Sequence, residues 1–336
     1  MAGMLATCQP GCENLLAREL AGSGIAARAS GAGWVDAAEP AAGAVPDSAF
    51  AHWLLPAARV LSAGAVNALA RQAGDFFQAA LGAERVTAAW PCAWTAAGTD
   101  PGLARRAVAV RKTFRELLRR RQSRVAALAT PDLPRGAVLA HGLFVVFTAF
   151  DRAWIAREAF LGGQRRMADN PAAPSRSYLK VEEAYGLLGR EPQAGETVAD
   201  LGAAPGGWSY SAARRGARVV AVDNGPLRGG ALGHPLIVHR LQDAFHFRPE
   251  PGARFDWLFC DLVEEPHHVL RDLVAPWLQR RWCRRFVVNL KFGRTGPVAL
   301  LGELRAAASP LMMHAAACRI RHLYHDREEF TVVGTV

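Results

Sequence analysis

The chain has 336 residues, which is long enough for two or three domains with separate hydrophobic cores. Hydrophobic residues make up 51% of it and charged residues 21%, proportions that exclude an intrinsically disordered chain. No apolar run reaches the roughly 18–20 residues of a membrane-spanning helix, and the net charge of +10 indicates a polyanionic partner.

The N-terminal residues and the cysteines predict a cytoplasmic protein. The first residues have neither the basic start nor the unbroken apolar stretch of a signal peptide. The six cysteines are scattered, and Cys8 and Cys12 have no second pair or histidine at zinc-ligand spacing. We therefore expect reduced, buried thiols and no metal site. A monomer is sufficient to explain these features.

The N-terminal half predicts mixed α and β structure. Its patterns indicate a strand at Leu5–Cys8, a helix at Glu13–Leu20 and a strand around Trp34, followed by an Ala-, Gly- and Pro-rich segment, Ala38–Pro46, as a candidate boundary. Beyond residue 57 we expect a helix, a strand at 85–90, a basic helix that reaches residue 124, and paired strands at 137–150 and 153–160.

The basic segment Arg105–Arg124 carries nine basic residues and one acidic residue, Glu116. Basic side chains recur every four residues along one side of the expected helix, which suits a phosphate backbone, while apolar side chains can face a core. The predicted core-facing residues are Val108, Phe114, Leu117 and Leu118. The predicted RNA-binding residues are Arg105, Arg106, Arg111, Lys112, Arg115, Arg119 and Arg120.

The C-terminal half predicts a doubly wound parallel sheet. The segment Arg165–Arg176 has the composition of a linker, and a helix is expected at Tyr178–Leu188. Strands then alternate with helices, and ligands of such sheets bind beyond the carboxyl ends of the strands. Polar residues stand at or just after these ends, which favours a site at one edge of the sheet. These residues are Asp200, Asp223, Asp243, Asp261 and Lys291.

The turn "VADLGAAPGGWSY" at residues 198–210 predicts a nucleoside ligand without phosphates. It has no Gly-Lys-Ser/Thr segment, and Ala204 and Pro205 stand where a dinucleotide turn brings its backbone to the pyrophosphate. Asp223 lies at the spacing of an acid that binds ribose hydroxyls, and Asp243 could accept a hydrogen bond from an adenine amine. A ribose and an adenine without a phosphate are what S-adenosylmethionine offers. The predicted cofactor-binding residues are Ser177, Gly202, Ala204, Pro205, Gly206, Gly207, Trp208, Asp223, Asp243 and Asp261.

Lysine is rare in this chain. Only three of the 40 basic residues are lysines, namely Lys112, Lys180 and Lys291. Arginine keeps its proton at physiological pH, whereas a lysine amine can lose one when its surroundings lower its pKa. A lysine in such a composition therefore indicates a position where arginine will not serve.

The motif "DLGAAPGGWSY" resembles motif I of the FtsJ-type ribose 2'-O-methyltransferases. The resemblance implies a Lys-Asp-Lys-Glu catalytic tetrad, for which the chain offers Lys180, Asp261, Lys291 and Glu329. The segments "APSRSYLKVEEA", "HLYHDREEFTV" and "CQPGCENLLAREL" are more closely similar to the bacterial ribosomal RNA large subunit methyltransferase M family. Ala204 departs from this pattern, since a cysteine is expected there in many relatives.

The second resemblance implies three domains and one reaction. We expect a ferredoxin-like domain at residues 1–48, a THUMP-like RNA-binding domain at 49–164 and a Rossmann-like methyltransferase domain at 165–336, so that α+β domains precede an α/β one. The implied reaction is 2'-O-methylation of a cytidine in the peptidyl-transferase region of 23S rRNA, with S-adenosylmethionine as the methyl donor.

The tetrad suits methyl transfer to a hydroxyl, because a ribose hydroxyl is a poor nucleophile until a base takes its proton. We expect desolvation and the Lys180 ammonium to lower the pKa of Lys291, so that Lys291 can act as this base. Asp261 would hold the Lys291 amine, and Glu329 would position Lys180 and the ribose. Glu328 is the alternative to Glu329, since a shift of one residue exchanges the faces of a strand.

Other functions stay open at this point. A non-catalytic rRNA-binding assembly factor would need the basic strip but no tetrad, and another structured RNA could be the substrate. Carbon-5 methylation needs a cysteine nucleophile, and Cys260 is expected to point away from the site. The segment "CDLVEEP" lacks the paired prolines of amine-methylating enzymes, and Pro205 disfavours a nicotinamide dehydrogenase.

Overall fold

A computed structural model describes residues 3–40 and 45–336. By its internal contacts the chain divides into two units, Met1–Gly163 and Gln164–Val336. Residues 41–44 of the predicted boundary segment lie outside the described residues. Within the described ranges, no helix is long and apolar enough to cross a membrane.

The first unit builds one mixed sheet with helices. Its elements are β1 (Gly3–Thr7), α1 (Glu13–Gly22), β2 (Ala27–Gly31), β3 (Trp34–Ala37), β4 (Trp53–Ser62), α2 (Val66–Leu81), β5 (Trp90–Ala96), α3 (Pro101–Arg121), α4 (Ser123–Ala127), β6 (Ala129–Thr130), β7 (Val138–Ala149) and β8 (Arg152–Leu161). The strand order among the described residues is β2-β3-β1-β4-β8-β7-β5-β6. Strands from both sides of residue 48 thus pair within one sheet, and the division at 48/49 stays a prediction.

The predictions for this unit are partly confirmed. The first helix and the antiparallel pair β7–β8 lie where they were expected. The strand predicted at 85–90 is wrong, because most side chains of that stretch face solvent and the strand begins only at Trp90. Trp90 is 7% exposed and its ring stacks on Phe77, so burial sets the start of this strand. The helix expected after residue 57 begins only at Val66, because β4 continues to Ser62.

The basic helix α3 packs on the core along a narrower stripe than the sequence predicted. Its buried residues follow spacings of three and four, as one face of a helix requires, and they are Leu103, Ala107, Val110, Phe114 and Leu118. The prediction for Val108 is wrong. Its side chain is 55% exposed, because it follows Ala107 by one position and so points about 100° away from the core.

The second unit is a doubly wound sheet flanked by helices. Its strands are β9 (Thr197–Leu201), β10 (Arg218–Val222), β11 (Ile237–Arg240), β12 (Phe255–Cys260), β13 (Cys283–Lys291), β14 (Ala317–Arg321) and β15 (Glu329–Thr335). Its helices are α5 (Tyr178–Leu188), α6 (Gly207–Ala213), α7 (Pro266–His268), α8 (Ala275–Gln279), α9 (Pro297–Arg305) and α10 (Pro310–His314), with a 3-10 turn at Gly229–Ala231 and a π-helical segment at Val269–Val274.

The strand order β11-β10-β9-β12-β13-β15-β14 confirms the predicted Rossmann-like architecture. The first five strands are parallel, and β15 runs antiparallel to β13 and β14. The order reverses between β9 and β12, which makes the carboxyl ends of these two strands the switch point where ligands of such sheets bind. Strand β14 was not predicted. The antiparallel pairing of its partner β15 with β13 brings Glu329 to the same edge.

Candidate active site

Four charged residues from distant stretches of the second unit meet at the carboxyl edge of its sheet. Lys180 comes from α5, Asp261 directly follows β12, Lys291 ends β13 and Glu329 begins β15. Lys291 and Glu329 are directly paired in the antiparallel ladder, because the last residue of one strand faces the first residue of the other. We call these four side chains the charged cluster.

Each amine of the charged cluster contacts both carboxylates. The Nζ atom of Lys180 lies 3.1 Å from Oδ2 of Asp261 and 3.1 Å from Oε1 of Glu329. The Nζ atom of Lys291 lies 3.0 Å from Oδ1 of Asp261 and 2.7 Å from Oε2 of Glu329. The four side chains are between 6% and 19% exposed. Glu328 is exposed, so Glu329 is the residue that faces the lysines.

The electrostatics of the charged cluster differ from the expectation for Lys291. Desolvation lowers the pKa of Lys291, but the charge of Asp261 and the hydrogen bond and charge of Glu329 outweigh it, so the pKa is raised above the ordinary lysine value. The prediction of a lowered pKa is therefore wrong for this arrangement. It weighed desolvation and the neighbouring ammonium but left out the raising effect of Asp261, which was expected beside the amine, and of Glu329, which was expected beside Lys180. For Glu329, desolvation raises the pKa, but the two lysines reverse this and leave the pKa lowered.

A buried carboxylic acid on α5 links Lys180 to the segment that leads into β15. Glu183 is 1% exposed and accepts hydrogen bonds from the backbone N–H groups of Arg165, Tyr324 and His325, at 2.9, 3.1 and 3.3 Å. Burial raises its pKa well above the ordinary value. This helix therefore carries both Lys180 and the residue that anchors the chain just before Glu329.

The glycine turn after β9 allows close packing that a larger residue would prevent. Gly202 and Gly206 have φ angles of +80° and +103°, which favour glycine. A Cβ atom on Gly202 would lie 2.5 Å from Leu262, and one on Gly207 would lie 3.1 Å from Oγ of Ser175. Trp208 is 3% exposed and its indole N–H donates to the carbonyl oxygen of Ser177 at 2.9 Å. Gly207, Trp208 and Ser177 thus lock α6 against the start of α5.

A cleft of about 380 Å³ opens beside this turn. Its size falls within the roughly 300–1,000 Å³ of typical small-molecule sites. The lining residues are Gly202, Asp223, Asn224, Gln242, Asp243, Ala244, Phe245, Leu262, Glu264 and His268. They include three of the predicted cofactor-binding residues. Leu262 directly follows Asp261, so the cleft adjoins the charged cluster.

The polar groups of the cleft fit an adenosine. Asp223 accepts hydrogen bonds from the backbone N–H groups of Ala204 and Gly225, at 2.9 and 2.7 Å, which fixes its carboxylate at the end of β10. Each carboxylate oxygen keeps a further acceptor site for a ribose hydroxyl. Asp243 is held in the same way by the N–H of Phe245 at 2.8 Å. The sequence did not single out Phe245, whose ring stacks on His268 at 4.2 Å and supplies an aromatic wall.

The predicted RNA-binding residues lie on α3 of the first unit, and most of them face solvent. Arg105, Lys112, Arg115, Arg119 and Arg120 are exposed, and Arg111 is half-buried. Together with Val108 and Glu116, the side chains of residues 111, 112, 115 and 119 line a surface groove of about 500 Å³.

Arg106 differs from the rest of this strip. Its guanidinium donates to the backbone carbonyl oxygens of Phe150, at 3.0 Å, and of Gly64, so it holds parts of the first unit together.

Thiol and metal chemistry find no support in the described part of the chain. No group of three or more His, Cys, Asp or Glu side chains there could hold a metal ion. Cys260 is fully buried, and burial raises the pKa of its thiol to about 12. A thiol with such a pKa is not a nucleophile at neutral pH.

The fold and the site together define the class of the second unit. Residues 173–275 match the family model for FtsJ-like methyltransferases. The second unit therefore has the Rossmann-type fold of FtsJ-like methyltransferases, and 103 of its residues are similar to that family. This agrees with the resemblance drawn from motif I.

The chain is similar to proteins named Ribosomal RNA large subunit methyltransferase M. The one from Laribacter hongkongensis is 44% identical over 169 residues, covering 48% of this chain and 47% of that protein. The one from Chromohalobacter salexigens is 40% identical over 205 residues, covering 56% and 57%. This chain spans about half the length of the relatives it matches. Among solved structures, TrmN from Thermus thermophilus aligns over 100% of both chains at 19% identity with a TM-score of 0.38.

Proposed function

We propose that this protein is an S-adenosylmethionine-dependent RNA methyltransferase that modifies a ribose 2'-hydroxyl of large-subunit ribosomal RNA. The observation that carries the proposal is the charged cluster, in which two lysine amines share two carboxylates beside a nucleoside-sized cleft. The names of the relatives support a ribosomal RNA substrate. A cytidine of 23S rRNA as the target rests on the family resemblance.

The cleft residues fit S-adenosylmethionine, which when bound supplies an electrophilic methyl group on a sulfonium. Asp223 would accept from the ribose hydroxyls and Asp243 from the adenine amine, while Gly202 permits close approach of the backbone. The other predicted residues, Ser177, Ala204, Pro205, Gly206, Gly207 and Trp208, would shape the turn that borders the cleft. Asp261 belongs to both parts, since it lies in the charged cluster and precedes Leu262 of the cleft.

The charged cluster can orient a hydroxyl and control its proton. Lys291 as general base would take the hydroxyl proton on Nζ, with Asp261 and Glu329 holding the amine and Lys180 directing the oxygen. The raised pKa of Lys291 favours a second role, in which the ammonium donates a hydrogen bond and stabilises negative charge on the oxygen. Under the first role, kcat should rise with pH as the amine loses its proton, and Lys291→Arg should be inactive. Under the second role, Lys291→Arg should retain part of the activity.

The first unit would bind the RNA. The exposed basic residues of α3 suit a phosphate backbone. Their binding would release counterions from the RNA, which would make their contribution to affinity steeply salt-dependent. We keep the proposed division into a ferredoxin-like domain at 1–48 and a THUMP-like domain at 49–164. A cytoplasmic monomer is the simplest form of such an enzyme.

The test is methyl transfer to rRNA that lacks the modification. Purified protein is incubated with unmodified 23S rRNA and labelled S-adenosylmethionine, and 2'-O-methyl positions are mapped by their resistance to alkaline cleavage. We expect one methylated ribose, no product with Glu329→Gln, and normal product with Glu328→Gln, whose side chain is exposed. RNA binding without methylation by the unchanged protein would instead support an assembly factor. Methylation of another structured RNA but not of 23S rRNA would show that the substrate is that other RNA.

A further inference from the structure

A second pair of polar side chains lies directly beneath the charged cluster. Asn289 and Thr331 stand opposite each other in the β13–β15 ladder, two residues along each strand from the paired Lys291 and Glu329. Because side chains two residues apart share a face of a strand, both point to the same side of the sheet as the cluster. Both residues are fully buried, at 0% exposure.

Hydrogen bonds connect this pair to one carboxylate of the cluster. The side-chain N–H of Asn289 donates to Oδ1 of Asp261 at 3.0 Å, and the hydroxyl of Thr331 donates to Oδ1 of Asn289 at 2.8 Å. The Thr331 oxygen also lies 3.0 Å from both carboxyl oxygens of Asp326. If the amide of Asn289 turned over, its oxygen would face the Asp261 carboxylate and its NH₂ would face the Thr331 hydroxyl. The Asp261 carboxylate can only accept, so it selects the amide orientation that donates to it, and the Thr331 hydroxyl stabilises that orientation by donating to the amide oxygen.

We propose that Asn289 and Thr331 are positioning residues that hold the Asp261 carboxylate between the two lysines. This inference rests on the proposed function for its catalytic consequence but not for its geometry. Asp261 receives hydrogen bonds from both lysines as well as from Asn289. Of these donors only the amide is neutral, and its side chain is fully buried. It therefore keeps the carboxylate in place while the amines exchange their contacts during turnover.

The experiment compares Thr331→Val, which keeps the branched shape and removes the hydroxyl, with Thr331→Ser, which keeps the hydroxyl. The matched control is Thr197→Val, at the first residue of β9 and so at the other end of that strand from the charged cluster. Its hydroxyl also contacts a carboxylate, at 3.2 Å from Oδ2 of Asp256, but it lies at the amino ends of the parallel strands. Two properties are measured for each full-length variant. One is the steady-state kcat and KM with rRNA, and the other is the pH-dependent acetylation of Lys291 by a trace amount of acetic anhydride.

Mass spectrometry can follow the acetylation cleanly, because the chain has only three lysines and the exposed Lys112 serves as an internal reference. The labelling needs neither substrate nor cofactor, so it tests the positioning residues even if the protein does not methylate rRNA. An unchanged protein that is inactive on rRNA would count against the proposed function alone.

For Thr331→Val we expect kcat to fall about tenfold, with KM within about twofold, because loss of the hydroxyl loosens the Asn289 amide that donates to the charged Asp261 carboxylate. We also expect the apparent pKa of Lys291 to move toward the ordinary lysine value. Thr331→Ser and Thr197→Val should stay close to the unchanged protein in both measurements. The proposal is overturned if Thr331→Val leaves both unchanged or if Thr331→Ser is as impaired as Thr331→Val. If Thr331→Val does not fold, Asn289→Leu takes its place, and failure of both to fold would make the pair structural and overturn the proposal.

Discussion

The charged cluster predicts a strong energetic coupling between Lys291 and Glu329. Their side chains are 19% and 6% exposed and their charged atoms are 2.7 Å apart, so solvent screens the pair little. In the unchanged protein two ammonium groups balance two carboxylates. Lys291→Met removes one positive charge and leaves Asp261 and Glu329 to share Lys180 alone. Glu329→Gln removes the opposite charge with almost no change of shape.

The expected magnitudes follow from this charge balance. Removing one partner of a buried ion pair costs about 3–5 kcal/mol of the free energy of unfolding. Because Lys180 remains to compensate, we expect about 3 kcal/mol for Lys291→Met. The double variant keeps the neutral pair of Lys180 and Asp261, so its loss should be smaller than the sum of the single losses by about 2 kcal/mol, which is the coupling free energy.

The assay is urea unfolding at pH 7, followed by hydrogen exchange in peptides from β13 and β15, which reports on the second unit separately. Because the pKa of Lys291 is raised on folding, its ammonium contributes fully to stability below about pH 10.5, the pKa of the unfolded state. Because the pKa of Glu329 is lowered, its carboxylate contributes fully above about pH 4.5. Both contributions are therefore complete at pH 7. The coupling should shrink as the pH falls through the lowered pKa of Glu329. Glu328→Gln, as control, should change stability by less than about 0.5 kcal/mol. A coupling below about 0.5 kcal/mol at pH 7 would refute the shared-charge reasoning.

Three further predictions test the surroundings of the site. His267 lies between two carboxylates, whose hydrogen bonds raise its pKa. The protonated imidazole therefore stabilises the fold below about pH 6.5, and this contribution disappears as the pH rises through the raised pKa. His267→Gln should lower Tm at pH 6 but not at pH 9 in calorimetry. Trp208→Phe removes the hydrogen bond to Ser177 and should cost about 1 kcal/mol of the free energy of unfolding and weaken S-adenosylmethionine binding in calorimetric titration. Replacing both Arg111 and Arg115 by Gln should weaken RNA binding and reduce the slope of log K against log salt by about 2, whereas an unchanged slope in filter binding would remove α3 from the RNA surface.

The sequence was sufficient to predict which residues the strand topology brings together. Asp223, Asp261 and Lys291 follow or end parallel strands, and the carboxyl ends of such strands necessarily share an edge. Glu329 stands at the start of an antiparallel strand, so its position depends on the pairing of β15 with β13, which local pattern does not predict; the family resemblance supplied Glu329 as a candidate. Asn289 carried a usable signal, because it lies two residues before Lys291 and therefore shares its face of the strand.

Two properties could not be predicted because they depend on three-dimensional surroundings. The direction of the pKa shift of Lys291 depends on how many carboxylates contact its amine, and the sequence gives no such count. The exposure of Val108 depends on the exact rotation of α3 about its axis, since the neighbouring Ala107 is 2% exposed and Val108 is 55% exposed. An apolar residue at the border of a helical stripe can lie on either side of it.

The distribution of lysine and arginine in the second unit separates structural from chemical ion pairs. Where a buried carboxylate outside the charged cluster has a cationic partner, as Glu182 has, that partner is arginine. Glu182, for example, is held by Arg214 and Arg215 at 2.8 and 2.6 Å.

The second unit has two lysines, and both lie in the charged cluster, where each contacts two carboxylates. Burying such a cluster is expensive, and apolar residues of similar volume are often more stabilising. The two buried amines lie at the edge where the strand order reverses and beside a nucleoside-sized cleft. Their placement is better explained by the handling of a proton or a developing charge than by the stability of the fold.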